Sequence, residues 1–154
     1  MAYPPAEWEL LIDLPARVMI AATSAEPHSP SQTVSEGLAG MEAIAAGRAS
    51  DSDLVRAVVA AIYSRSEDDQ PAAEEFTDRA AALAGVLAAC GAVTRVLSAR
   101  ADPADSAAYR QWLQHIAARV RGATRAGRVP GPGRERFGAD ERRFVADLGA
   151  ALNL

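Results

Sequence analysis

The chain is heavily punctuated. Helix-start signals recur along its 154 residues, and no segment alternates apolar and polar residues between turn signals as a strand would. Ser29-Pro30-Ser31-Gln32 places a capping serine before proline at the first helical position, with glutamine three residues after the cap. That order satisfies two orphan backbone donors reciprocally. Ser50-Asp51-Ser52-Asp53 and Asp102-Pro103-Ala104-Asp105 repeat it with a carboxylate at the third position, which suits the positive end of a helix. Gln70-Pro71 before Glu74 and Glu75 marks another start, and Gly138 to Glu141 marks the last.

These signals predict six helices, over residues 6–24, 30–47, 51–65, 71–100, 103–127 and 139–152. The fold class is therefore all-α: a bundle of about six helices, read as a single helical domain over 1–154. Pro15 falls inside the first, so that helix either kinks or starts near Asp13 with Trp8, Leu10 and Leu11 on a preceding turn. In the third helix Leu54, Val55, Val58 and Ile62 make one apolar stripe. The fourth pairs a ridge of Phe76, Leu83, Leu87, Cys90 and Thr94 with Ala80, Ala84, Ala88 and Ala92 at every fourth position. Small residues so spaced admit a close neighbour, and the expectation is a central, alanine-rich hub. The run from Ala80 to Ser98 is accordingly read as a buried helix rather than a membrane span, since it is rich in alanine and glycine and holds Arg95.

Apolar residues make up 49% of the chain and aromatics only 5%, so the core rests on alanine, leucine and valine. Cys90 is the only cysteine, which excludes an intrachain disulfide and a cysteine-rich zinc site and accords with a cytoplasmic setting. The amino-terminal MAYPPAEWELL has no basic segment followed by an apolar one, so a secretory signal is not expected.

An internal echo links two parts of the chain. Ala16-Arg17-Val18 with Ala21 matches Ala118-Arg119-Val120 with Ala123, each after a tryptophan, Trp8 or Trp112. In a chain this rich in alanine and arginine such matches also arise by chance, so duplication into two pseudo-repeated helical halves is one of two readings. With this echo, the layout resembles the TerB-like all-helical bacterial proteins associated with tellurite resistance and stress responses, which look like two similar helical halves packed together. The resemblance covers mainly Pro15 to Ile44 and its echo. Those proteins carry acids in an Ala-Asp-Gly-type loop, whereas Ala22-Thr23-Ser24-Ala25-Glu26 stands here and only Glu26 and the later Glu36 are acidic. Metal binding does not carry over.

Charge is unevenly spread. Residues 1–108 carry sixteen acids against seven arginines, a balance of −9, while 109–154 carry nine arginines against four acids, a balance of +5. All sixteen cationic side chains are arginine. The stretch Thr124 to Phe144 holds six of them and four glycines, but Gly131-Pro132-Gly133 lacks the G-x-G-x-x-G and G-K-[ST] spacings of phosphate loops and follows no strand. Val129 to Gly138 is read as a rigid connection between helices. On the fifth helix Tyr109, Trp112, Leu113, Ile116, Val120 and Ala123 form the buried face, and Arg110, Arg121, Arg125 and Arg128 share another side. With Arg134 and Arg136 they are the candidate site, for an anion or an acidic protein partner.

Catalysis has no comparable constellation. His28 and His115 are far apart, no His-Glu-x-x-His or paired Glu-x-x-His occurs, and Cys90 falls on the apolar ridge. No cofactor and no metal is expected. Three readings remain: a helical interaction, scaffold or regulatory module with a protein partner or a second copy; an anion or nucleic-acid binder using the arginine stripe; and a small-ligand binder or cofactor-free enzyme with a pocket near Trp8 and Trp112.

Overall fold

The computed structural model describes residues 3–24, 30–65, 79–126 and 134–154, with side chains described for 3–23, 35–65, 81–122 and 142–154. Six α-helices pack in a bundle: α1 (Pro5–Ser24), α2 (Pro30–Ala46), α3 (Asp53–Ser64), α4 (Arg79–Arg100), α5 (Pro103–Ala126) and α6 (Arg134–Ala151). A single 3-10 turn, Gly47–Ala49, joins α2 to α3, and among the described residues there is no strand.

Pro15 neither breaks α1 nor starts it; the helix runs through. Proline has no N–H to give the carbonyl four residues back, and that carbonyl, on Leu11, accepts instead from the buried Tyr109 hydroxyl of α5 at 2.7 Å. Tertiary structure thus supplies the donor that the helix lacks. At α3 the cap is Ser52 rather than Ser50, two residues later than expected. Ser52 Oγ accepts from the Val55 backbone N–H at 3.3 Å and donates to Asp105 on the first turn of α5 at 2.7 Å, a contact open to only one of the two serines. Asp102 caps α5 as expected, taking the Ala104 N–H at 2.7 Å.

The hub of the bundle is α5, which packs against each of the other five helices. Its interior face is the expected one, with Tyr109, Trp112, Leu113, Ile116 and Val120 all buried. Trp112 Nε1 donates to the Ala43 carbonyl at 3.1 Å, and its ring meets Tyr109 edge-on at 5.8 Å. Two glycines let α2 lie close along α5. A Cβ on Gly40 would sit 3.2 Å from Val120 and overlap the Met19 side chain, and one on Gly47 would sit 2.7 Å from Val59 and 3.0 Å from Trp112.

The alanine-rich α4 is not the centre. It lies beside α1 and α6 and buries Val86, Cys90, Val93 and Leu97, spaced at i, i+4, i+7 and i+11. Ala84 and Ala88 of the expected packing row face outward. The β-branched and larger residues took the interior because they remove more apolar area from water than alanine does. The internal echo extends to packing only in part: α1 meets α2 much as α5 meets α6, whereas the long contact of α2 along α5 has no comparable counterpart between α6 and α1 among the described residues.

The last helix begins at Arg134, five residues before the predicted start, and so includes the whole second half of the expected connection, through Gly138. Phe144, Leu148 and Leu152 carry it into the core. Its end is closed by Asn153 at φ 58, with Leu154 N–H donating to the Gly149 carbonyl at 2.9 Å and Asn153 N–H to Ala150 at 3.2 Å. This is a Schellman ending with asparagine in the left-handed position.

Candidate interaction surface

Of the arginine stripe, the side chains of Arg110 and Arg121 are described, and Arg110 is held by contacts within the chain. Arg110 spans to the end of α6, its Nη1 donating to the carbonyls of Leu152 at 3.0 Å and Asn153 at 3.1 Å while Nε bonds the Ser106 carbonyl. A guanidinium at a helix C-terminus satisfies orphan acceptors and opposes the negative helix end. Thr94 joins it there, its hydroxyl 2.8 Å from the Cys90 carbonyl and 3.2 Å from that of Ala151. Arg119, on the opposite side of α5 from the stripe, pairs with Glu42 of α2 at 3.2 Å. Arg121 is half-buried, with Nε inside the protein. Glu36 on α2 is fully buried, and the antiparallel register set by Gly47 beside Trp112 and Gly40 beside Val120 puts it level with roughly residues 123–125 of α5. The side chains of Arg125, Arg128, Arg134 and Arg136 lie outside the described residues.

A cleft that the sequence did not announce opens between α1 and α4, with a volume of about 340 Å³. From α1 it is lined by Leu10, Asp13, Leu14 and Arg17. From α4 come Ala82, Gly85, Val86 and Ala89. The two helices run antiparallel, since Glu7 near the start of α1 pairs with Arg100 at the end of α4 at 2.5 Å. Small side chains at 82, 85 and 89 leave the floor low, and a Cβ on Gly85 would meet nothing within 4 Å. On the rim, Arg65 from the end of α3 lies 2.5 Å from Asp13 and 3.4 Å from Glu9. The signals were present in the sequence: glycine and alanine at the spacing of one helix face, and Leu10 beside Asp13.

The cleft continues into an open apolar surface. The span Ala81–Arg100 is long and apolar enough to cross a membrane, as many core helices are, yet only 33% of its most apolar window is buried. Ala81, Ala84, Gly85, Ala88 and Arg95 are exposed along one stripe. On α2, Leu38 and Met41 are the most exposed large apolar side chains among the described residues, at 57% and 54%.

Residues with chemical potential elsewhere are dispersed. Burial pushes the Cys90 thiol up to about 12, far from the thiolate that nucleophilic work needs. His115 is exposed on α5, whereas Glu26 and His28 lie outside the described residues. Among the described residues no three of His, Cys, Asp and Glu come together as a metal-holding group. Trp8 packs against Tyr3 at 5.8 Å, and Trp112 is 7% exposed inside the core, so neither ring faces the cleft. Neither a family model, nor a curated protein, nor a solved structure matches the chain.

Proposed function

We propose that this chain is a non-catalytic helical interaction module, serving as a scaffold or regulator by binding another protein or a second copy of itself. The observation that supports this reading is the outer face of α4: an apolar helix with only a third of its most apolar window buried and a stripe of small side chains exposed, beside a cleft lined mainly by apolar and small side chains. Exposed contiguous apolar surface on a bundle is the mark of a site that another macromolecule covers. The arginine stripe supports an anion-binding role less well. Arg110 is committed to the end of α6, so that member of the stripe has little to offer a phosphate.

The test is a pair of measurements on the intact protein: sedimentation velocity for self-association, and capture on the immobilised protein from a lysate of the source organism. The reading expects a dimer or a partner at fixed stoichiometry, lost in Ala88→Glu, which puts a charge on the exposed face without entering the core. A monomer that captures nothing, together with a saturable small-molecule response, overturns it in favour of a ligand-binding role.

A further inference from the structure

The class of partner can be read from the surroundings of the cleft, an inference that rests on the interaction-module reading. Leu10, Leu14 and Val86 give the walls an apolar part, Asp13 and Arg17 a charged one, and the floor at Gly85 is open backbone. At about 340 Å³ the space takes one or two large apolar side chains and sits near the lower limit of small-ligand sites, roughly 300 Å³. Along the same face, alanine at 81, 84 and 88 allows a second helix to pack at about 8 Å between axes.

Charge then selects among helices. From 79 to 100 the sequence of α4 has arginines and no acid. Arg95 is exposed on the uncovered stripe and has no ion-pair partner among the described residues, and Arg17 stands on the cleft wall. The two-residue join of α4 to α5 and the contacts of Arg110 and Gln114 with α6 make α6 parallel to α4. Thr94 lies at Ala151, so the exposed Arg142 and Arg143 fall at about the level of Gly85. Against these cations stand, among the described residues, Asp147 on α6, Glu7, which Arg100 engages, and the Asp13–Glu9 pair, which Arg65 engages. A second copy docked face to face about a two-fold axis would set this basic rim against itself, a like-charge arrangement that interfaces avoid.

We infer that the α1–α4 cleft and the outer face of α4 dock an acidic amphipathic helix of a partner protein. One of its large apolar side chains fills the cleft over Gly85, and its flanking carboxylates meet Arg95 and the Arg142–Arg143 pair.

The probe is a labelled synthetic helix of about 18 residues with leucines at i, i+4, i+7 and i+11 and glutamates flanking them, set beside a version with lysine for every glutamate. Fluorescence anisotropy with the intact protein is expected to show saturable micromolar binding of the acidic helix, weakened by salt, and binding at least about tenfold weaker for the lysine version. Gly85→Leu fills the cleft where the structure leaves room, so its melting temperature stays at or above that of the parent while affinity falls by about tenfold or more. Arg95→Glu, fully on the surface, weakens the acidic helix several-fold and strengthens the lysine one. Equal binding of the two helices, no saturation by the acidic one, or unchanged affinity in Gly85→Leu and Arg95→Glu overturns the inference. A captured protein or a dimer indifferent to both substitutions leaves the interaction module standing and removes this account of its site. Acidic-helix binding with no natural partner or dimer found does the reverse.

Discussion

A proline in mid-helix leaves one carbonyl without its donor, and in this chain that carbonyl belongs to Leu11, in the core. The Tyr109 hydroxyl supplies the donor at 2.7 Å, so the two side chains are coupled although they share no contact of their own that the sequence reveals. Tyr109→Phe should therefore cost about 1–3 kcal/mol, the penalty for a buried acceptor left unmade. In a Pro15→Ala background the backbone N–H restored at that position can satisfy Leu11, and the same Tyr109→Phe change should cost clearly less. Urea denaturation of the four proteins checks this as a double-mutant cycle. Equal costs in both backgrounds would show that the hydroxyl, not the missing N–H, was the whole story. The sequence told that Tyr109 is buried and that Pro15 is a defect, but not that one repairs the other, because their meeting depends on how α1 crosses α5.

At the level of helices, the caps and interior faces were readable where local chemistry decides alone. Asp102-Pro103 starts α5 where it should, and Leu54, Val55 and Val58 all enter the core. What eluded the sequence was choice between near-equals. Ser52 prevails over Ser50 through a bond to Asp105 on another helix, and α4 offers apolar residues on every side, so spacing does not say which face turns inward. Glycines make the same point testable, because one substitution has opposite signs at two sites. Gly85→Ala places its methyl in open space in a helix interior and should stabilise by about 0.5–1 kcal/mol. Gly47→Ala drives the methyl against Val59, Val55 and Trp112, whose branched or rigid side chains yield little, and should destabilise by about 1–3 kcal/mol. Melting temperatures of the two variants should move apart on either side of the parent; movement in the same direction would contradict the close approach at Gly47.

Over the whole molecule the decisive property is the division of charge, −9 over residues 1–108 against +5 over 109–154. A helical domain with an arginine-rich end invites the idea of nucleic-acid binding, and the sequence alone does not dismiss it. The structure shows where two of those charges go. Arg110 closes the end of α6, and Arg119 meets Glu42 across the α2–α5 interface. Cations engaged this way release few counterions from a phosphate backbone, and counterion release supplies most of non-specific affinity. The acidic majority of the chain would also repel a long polyanion. Anisotropy titrations with duplex and single-stranded oligonucleotides at physiological salt should accordingly show no saturation at micromolar protein, and Arg121→Gln, Arg125→Gln and Arg128→Gln together should leave that baseline where it was. Micromolar binding that weakens steeply with salt and is lost in the triple variant would return the arginine stripe to the centre of the molecule's function. The Arg110→Gln variant separates the two roles in the same titration. Its expected effect is a looser α6 and a lower melting temperature, since it strips donors from the Leu152 and Asn153 carbonyls, with no change in affinity for any anion.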